Sequence, residues 1–197
     1  MEISILEGIA ALHTPVLTAI LLFLTYIGEW GAVCIATAAV LLCFGKTRKA
    51  GVVMAFALLA DFLIVNVILK NAVARQRPFE EEPLLCGFLS EIGYPLPKDY
   101  SFPSGHSAVT FCGAAALTYF FRGKGAWAFL PAALIAFSRL YLGVHYPTDV
   151  LAGAAIGCGV GFGVAWAGNL LFEKAAEAHR RKKNRQTERA KEDADEQ

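Results

Sequence analysis

The chain has 197 residues, 56% hydrophobic and 18% charged; a soluble domain of this size would carry more charge, so the composition points to one membrane domain. The net charge of +1 is unevenly placed, and no nucleic-acid partner is expected. Of the five cysteines, Cys34, Cys43, Cys112 and Cys158 lie in apolar runs where a thiol acts as a small hydrophobe, and Cys86 stands alone in a polar loop, so no disulfide framework is expected.

The opening MEISILEGIAALHTP has two acids and no basic residue before His13, unlike a secretory signal; it reads as a short amphipathic helix. A bilayer core needs about 20 apolar residues per helix. Six segments approach that length, at 9–27, 30–44, 50–69, 106–121, 126–143 and 148–172. The expected fold is therefore all-α, a polytopic bundle of six transmembrane helices, with a membrane domain over 1–172 and a charged tail over 173–197. Pro15 kinks the first span, and GEWG at 28–31 leaves a tight turn before the second. In the last span Gly153, Gly157 and Gly161 recur every four residues, a small face that lets helices pack closely. The third span carries Asp61 at its middle, where an acid is costly and faces the bundle interior with a structural role.

The loops GKTRK and FRGKG and the tail HRRKKNRQTER are basic and fall on one side of a six-span model. Short basic loops stay in the cytoplasm, so this side faces inward, in the inner membrane, with the tail near anionic lipid. The opposite side carries GEWG, the long connection 70–105 and the stretch 139–149.

Four clusters meet on that outer side. Lys70 and Arg77, with Arg75 between them, run against the usual charge bias and ask for an anionic partner. In FPSGHS the residues Pro103 and Ser104 open a helix whose free N–H groups favour an anion. Ser104 can simply cap it, and Gly105 lets a ligand approach the backbone, but a cap has no need of His106. Arg139 ends the fifth span with a fork that suits phosphate oxygens. His145 precedes Pro147, and Asp149 falls in the next helix's first turn, where its carboxylate can accept from Nδ1–H of His145 and leave Nε2 free as a nucleophile. EEE at 80–82 reads as solvated loop; no metal site and no cofactor are expected.

The patterns K-x6-R-P at 70–78, P-S-G-H at 103–106 and S-R-x5-H-x3-D at 138–149 resemble the three signature motifs of the type 2 phosphatidic acid phosphatase superfamily, in order and with every position intact. The resemblance implies a metal-independent lipid phosphatase with a phosphohistidine intermediate. It makes His145 the nucleophile, Asp149 its partner and His106 the acid that protonates the leaving oxygen. Lys70, Arg77, Ser104, the Gly105 N–H and Arg139 become the phosphate cradle. Fixed cations and a helix N-terminus can hold a phosphoryl group in flight without a metal ion. The expected partners are a lipid phosphate and membrane lipids, with undecaprenyl diphosphate ahead of phosphatidylglycerol phosphate or phosphatidate. An anion transporter, a lipid phosphotransferase and the soluble vanadate-binding branch of the superfamily are the rival readings. Transport has no need of the His145–Asp149 pair, and six apolar spans argue against a soluble relative.

Overall fold

A computed structural model describes residues 1–195, with side chains through Thr187. The acidic end of the tail, KEDADEQ at 191–197, lies outside the residues whose side chains are described. Among the described residues every regular element is helical. In chain order these are α1 (Glu2–Ala10), α2 (Pro15–Gly28), α3 (Ala32–Cys43), α4 (Arg48–Phe62), α5 (Lys70–Val73), α6 (Pro78–Glu81), α7 (Pro83–Glu91), α8 (Gly105–Phe121), α9 (Gly123–Ala126), α10 (Phe129–Tyr141) and α11 (Pro147–Asp195). The chain divides into two compact units, Met1–Ala165 and the remainder from Trp166.

In the first unit, α1 is the short amphipathic helix the sequence predicts. Leu6 is buried, and Ile3 and Ile9 pack on a cluster with Leu21, Leu85, Leu89 and Tyr141. Thr14 caps α2 by accepting from the Leu17 N–H, and Pro15 takes the first helical position, where no N–H is needed. The GEWG turn is a single 3-10 turn with Trp30 at φ 54° and Gly31 at φ 68°. A Cβ on Gly31 would also lie 2.6 Å from Val109 Cγ2, so backbone freedom and close packing both call for glycine there. Helix α4 runs on without interruption through a π-helical stretch, Leu63–Leu69, into α5.

Three helical stretches are long and apolar enough to cross a membrane: Pro15–Cys43, Arg48–Glu81 and Pro147–Thr187. The count of six does not follow from length and composition. Helices α2 and α3 form one stretch with a break, and α8 and α10 have 17 and 13 residues, short of the roughly 20 that an upright span needs. Phe23, Phe56 and Leu151 point outward, each more than 60% exposed, the arrangement expected where lipid rather than water is the neighbour.

Helix α8 lies at the centre of this unit, packed against α4 and α10, and α3 and α2 complete the layers on α4 and α10. The glycine face of α11 sits directly on its backbone. A Cβ on Gly153, Gly157 or Gly161 would lie 2.5, 2.1 or 2.4 Å from the carbonyl oxygens of Ser104, Ala108 and Cys112. Gly157→Ala is therefore expected to force α8 and α11 apart and to lower stability by about 1–3 kcal/mol, the usual range for overpacking. Gly159 has nothing within 4 Å of such a Cβ, so Gly159→Ala is expected to be neutral or slightly stabilising. Thermal melts of the two variants in the same detergent check the contrast.

The second unit, from Trp166, is helical among its described residues. Its polar part carries the basic run His179 to Arg185, exposed throughout, with local bonds such as Asn169 Nδ2 to Glu173 Oε1 at 2.8 Å.

Candidate active site

The cations come from the end of α5 and the loop behind it. Ala74, at φ 51°, ends α5, and the chain then runs to Arg77, which precedes Pro78 at the first position of α6. Lys70 is 6% exposed and Arg77 2%, so neither is a headgroup anchor that snorkels into solvent. Arg77 Nε donates to Asp99 O at 2.8 Å, Nη1 to Val144 O at 2.7 Å and Nη2 to Asp99 Oδ1 at 2.7 Å. One planar guanidinium thus ties the loop before α8 to the loop before α11. The other Asp99 oxygen pairs with Lys70 Nζ. Burial pushes the Asp99 carboxyl up, but the hydrogen bonds and charges of Lys70 and Arg77 outweigh it and hold it at about 2.

His145 is 1% exposed, in the turn between α10 and α11, and its Nε2 lies 3.4 Å from Arg77 Nη1. Burial holds its pKa well below 6.5, and the charges of Arg77, Arg139 and Lys70 push the same way against a smaller contribution from Asp99. The ring is neutral near pH 7, as a nucleophile must be.

The expected hydrogen bond from His145 to Asp149 needs correction. Nδ1 and Oδ2 are 3.7 Å apart, too far for a hydrogen bond. Asp149 Oδ2 instead accepts from Ser101 Oγ at 2.5 Å and from the Tyr146 N–H at 2.9 Å. The second bond is the reach-back that caps the start of α11, and it draws the carboxylate away from the imidazole. Asp149 Oδ1 accepts from Arg75 Nη1 at 2.7 Å, and Arg75 Nη2 reaches Glu2 Oε2 at 2.5 Å while its guanidinium lies over the Tyr146 ring. The anionic partners that Arg75 calls for are therefore two carboxylates of the protein.

Ser104 caps α8. Its Oγ accepts from the Ser107 N–H at 3.5 Å and from Ser107 Oγ at 3.1 Å, while its own N–H donates to Asp149 O at 3.0 Å. A Cβ on Gly105 would lie 2.9 Å from Asn66 Oδ1, so the glycine admits a polar side chain of the π-helical stretch at the helix start. His106 Nε2 is buried with no partner. Arg139 Nη1 donates to Tyr94 Oη at 2.9 Å and Thr25 Oγ1 at 3.2 Å, and its Nε has no partner.

Lys70, Arg77, Gly105, His106 and Arg139 line one cavity of about 950 Å³, while Ser104, His145 and Asp149 are buried beside it. From the cationic end the cavity runs between apolar side chains of α3 and α4, among them Ile35, Leu42, Leu59 and Phe62. Asp61 also lines it, fully buried, with neither oxygen bonded. Among the described residues no group of three or more His, Cys, Asp or Glu side chains is placed to hold a metal ion.

Four residues of this site were not singled out from the sequence: Thr25, Tyr94, Asp99 and Ser101. Thr25 carried a signal, a hydroxyl inside the apolar run LLFLTYIG. Ser101, three residues ahead of Ser104, carried a weaker one. Tyr94 and Asp99 sit in an irregular loop with no periodicity to read.

A family model described as the PAP2 superfamily matches residues 48–172. An undecaprenyl-diphosphatase of Sulfolobus acidocaldarius is 34% identical over 149 residues, 74% of this chain and 68% of that protein. A decaprenylphosphoryl-5-phosphoribose phosphatase of Mycobacterium tuberculosis is 39% identical over 100 residues, and the match covers 49% of this chain and 50% of that protein. The crystal structure of a transmembrane PAP2-type phosphatidylglycerolphosphate phosphatase from Bacillus subtilis superposes with a TM-score of 0.64 at 27% identity, covering 83% of this chain and 82% of that one.

Proposed function

We propose that this chain, which belongs to the PAP2 superfamily, removes the terminal phosphate of a long-chain prenyl diphosphate, undecaprenyl diphosphate first among them. The observation that carries this reading is the single cavity that joins Lys70, Arg77, His106 and Arg139 to an apolar cleft between α3 and α4. Cations suit a phosphate and the cleft suits its lipid tail. The Sulfolobus relative named as an undecaprenyl-diphosphatase favours the prenyl substrate over a glycerolipid.

In this reading His145 Nε2 attacks the terminal phosphorus and the bond to the bridging oxygen breaks. His106 protonates that oxygen, and the lipid monophosphate leaves. Water deprotonated by His106 then attacks the phosphohistidine and releases inorganic phosphate. Lys70, Arg77, Arg139, Ser104 and the Gly105 N–H hold the equatorial oxygens, where charge spreads in the transition state. Six helices, α2, α3, α4, α8, α10 and α11, cross the inner membrane as the domain 1–172. The site faces outward, and the tail 173–197 lies in the cytoplasm.

Phosphate release by the purified full chain in detergent with excess EDTA tests the reading. Undecaprenyl diphosphate, phosphatidylglycerol phosphate and phosphatidate are compared side by side. Release fastest from the prenyl diphosphate is the expected result. A faster glycerolipid reassigns the substrate, and loss of all release in EDTA overturns the metal-free mechanism.

Asp99 occupies the donors of Lys70 and Arg77 that an incoming phosphate needs. Two pairs with a half-exposed carboxylate contribute about 0.2–1 kcal/mol each. Asp99→Asn is therefore expected to tighten competitive inhibition by inorganic phosphate by between about twofold and thirtyfold. Inhibition constants for the two proteins at one pH check this.

A further inference from the structure

We infer that Ser101 is a positioning residue for His145: its hydroxyl accepts the Nδ1 proton of the imidazole and donates in turn to Asp149. The inference rests on His145 being the nucleophile, but its geometry stands apart from the identity of the lipid. Ser101 is fully buried, and its backbone N–H is fixed to Arg75 O at 2.8 Å. Its Oγ lies 2.5 Å from Asp149 Oδ2 and 3.4 Å from His145 Nδ1, whereas the direct Nδ1 to Oδ2 separation is 3.7 Å.

The direction of each bond follows from the groups themselves. An ionised carboxylate only accepts, so the Ser101 hydroxyl proton points at Asp149. The lone pairs of Oγ then face His145, and a lone pair there calls for a proton on Nδ1. At the far edge of the ring, Nε2 lies 3.4 Å from Arg77 Nη1, a group with only N–H to offer. A proton on Nε2 would oppose that donor. Both edges select the same tautomer, with Nδ1 protonated and Nε2 bare.

The carboxylate is held from its other sides as well. Arg75 fixes Oδ1 and the Tyr146 N–H shares Oδ2. Glu2 in α1 holds Arg75 and also accepts from the Thr148 N–H and hydroxyl. When Nε2 takes up the phosphoryl group, the ring gains positive charge, and the chain from Nδ1–H through Ser101 to Asp149 places a negative group behind it.

Ser101→Ala removes the bridge without adding volume. The chain has four histidines, so ¹⁵N-histidine labelling of the full protein in micelles, with substitution of one histidine at a time for assignment, resolves the tautomer of each. In the wild type His145 is expected as the Nδ1–H form, and in Ser101→Ala as a mixture with Nε2–H. The accompanying kinetic result is a fall in kcat of about 10- to 100-fold with KM changed by less than about twofold, because one hydrogen bond to the reacting group is lost and the cradle is not. The tautomer is read without substrate, so it tests Ser101 even in a preparation that hydrolyses none of the lipids offered. An unchanged His145 tautomer in Ser101→Ala overturns the inference, as does an unchanged kcat in a protein that turns over. A purely structural role for Ser101 would lower the melting temperature and leave the tautomer alone.

Discussion

His145→Ala is expected to abolish phosphate release, with a loss of at least about 10⁴-fold in kcat, while the protein still folds. The side chain is 1% exposed, yet it anchors little of the structure. Among the described residues its ring nitrogens make two 3.4 Å contacts, with Ser101 and Arg77, and approach Asp149 at 3.7 Å; Ser101 and Arg77 both have shorter bonds elsewhere. The wild type should trap an acid-labile phosphoprotein on quenching, and His145→Ala should trap none. The pH profile of kcat/KM, which reports the free enzyme, gives a second check. Burial and the neighbouring cations lower the His145 pKa, so the neutral, reactive form persists as pH falls through 6.5 and the acid limb lies below that value. A limb at 6.5 or above would show that the titrating nucleophile is not this buried imidazole. Asp149→Asn is a less clean variant: it loosens Arg75, Ser101 and the α11 cap together.

The site residues that could be read from the sequence were those whose spacing is fixed within one segment. Lys70 and Arg77, the run from Ser104 to His106, and His145 with Asp149 are each set by a few local turns. The residues missed owe their place to contacts between segments. Asp99 meets Lys70 across 29 positions, Ser101 meets Asp149 across 48, Tyr94 meets Arg139 across 45, and Thr25 meets Arg139 across 114. Nothing in local pattern encodes such pairs. The same limit explains the His145–Asp149 separation. Four residues across a helix start bring the two side chains close, but whether they touch depends on what else the carboxylate binds, and here Ser101 and the Tyr146 N–H take it. In the fold, the glycine face of α11 was legible because it repeats every four residues. The break at Trp30 was foreseen as a turn, whereas the continuation of α4 through a π-helical stretch into Lys70 has no marker in AGVVMAFALLADFLIVNVIL.

His106→Ala is expected to separate the two halves of the reaction. In the free protein His106 Nε2 is buried without a partner, in the first turn of α8 and on the wall of the cavity. An unsatisfied buried nitrogen costs about 1–3 kcal/mol, a cost that a substrate oxygen at that position removes. With a phosphomonoester such as phosphatidate the leaving oxygen is an alkoxide, a poor anion that needs a proton, so on such a substrate the variant should lose about 10²–10⁴-fold. With p-nitrophenyl phosphate the leaving phenolate is stable without one, and the first step should survive. The second step still needs a base to deprotonate water, and that base is gone. The expected record is a burst of about one p-nitrophenolate per site at near wild-type rate, followed by slow turnover while His145 stays phosphorylated. Slow release with no burst would mean that His106 acts on the first step other than through the leaving oxygen, by placing the phosphate in the cradle. Steady turnover at the wild-type rate would remove it from both steps.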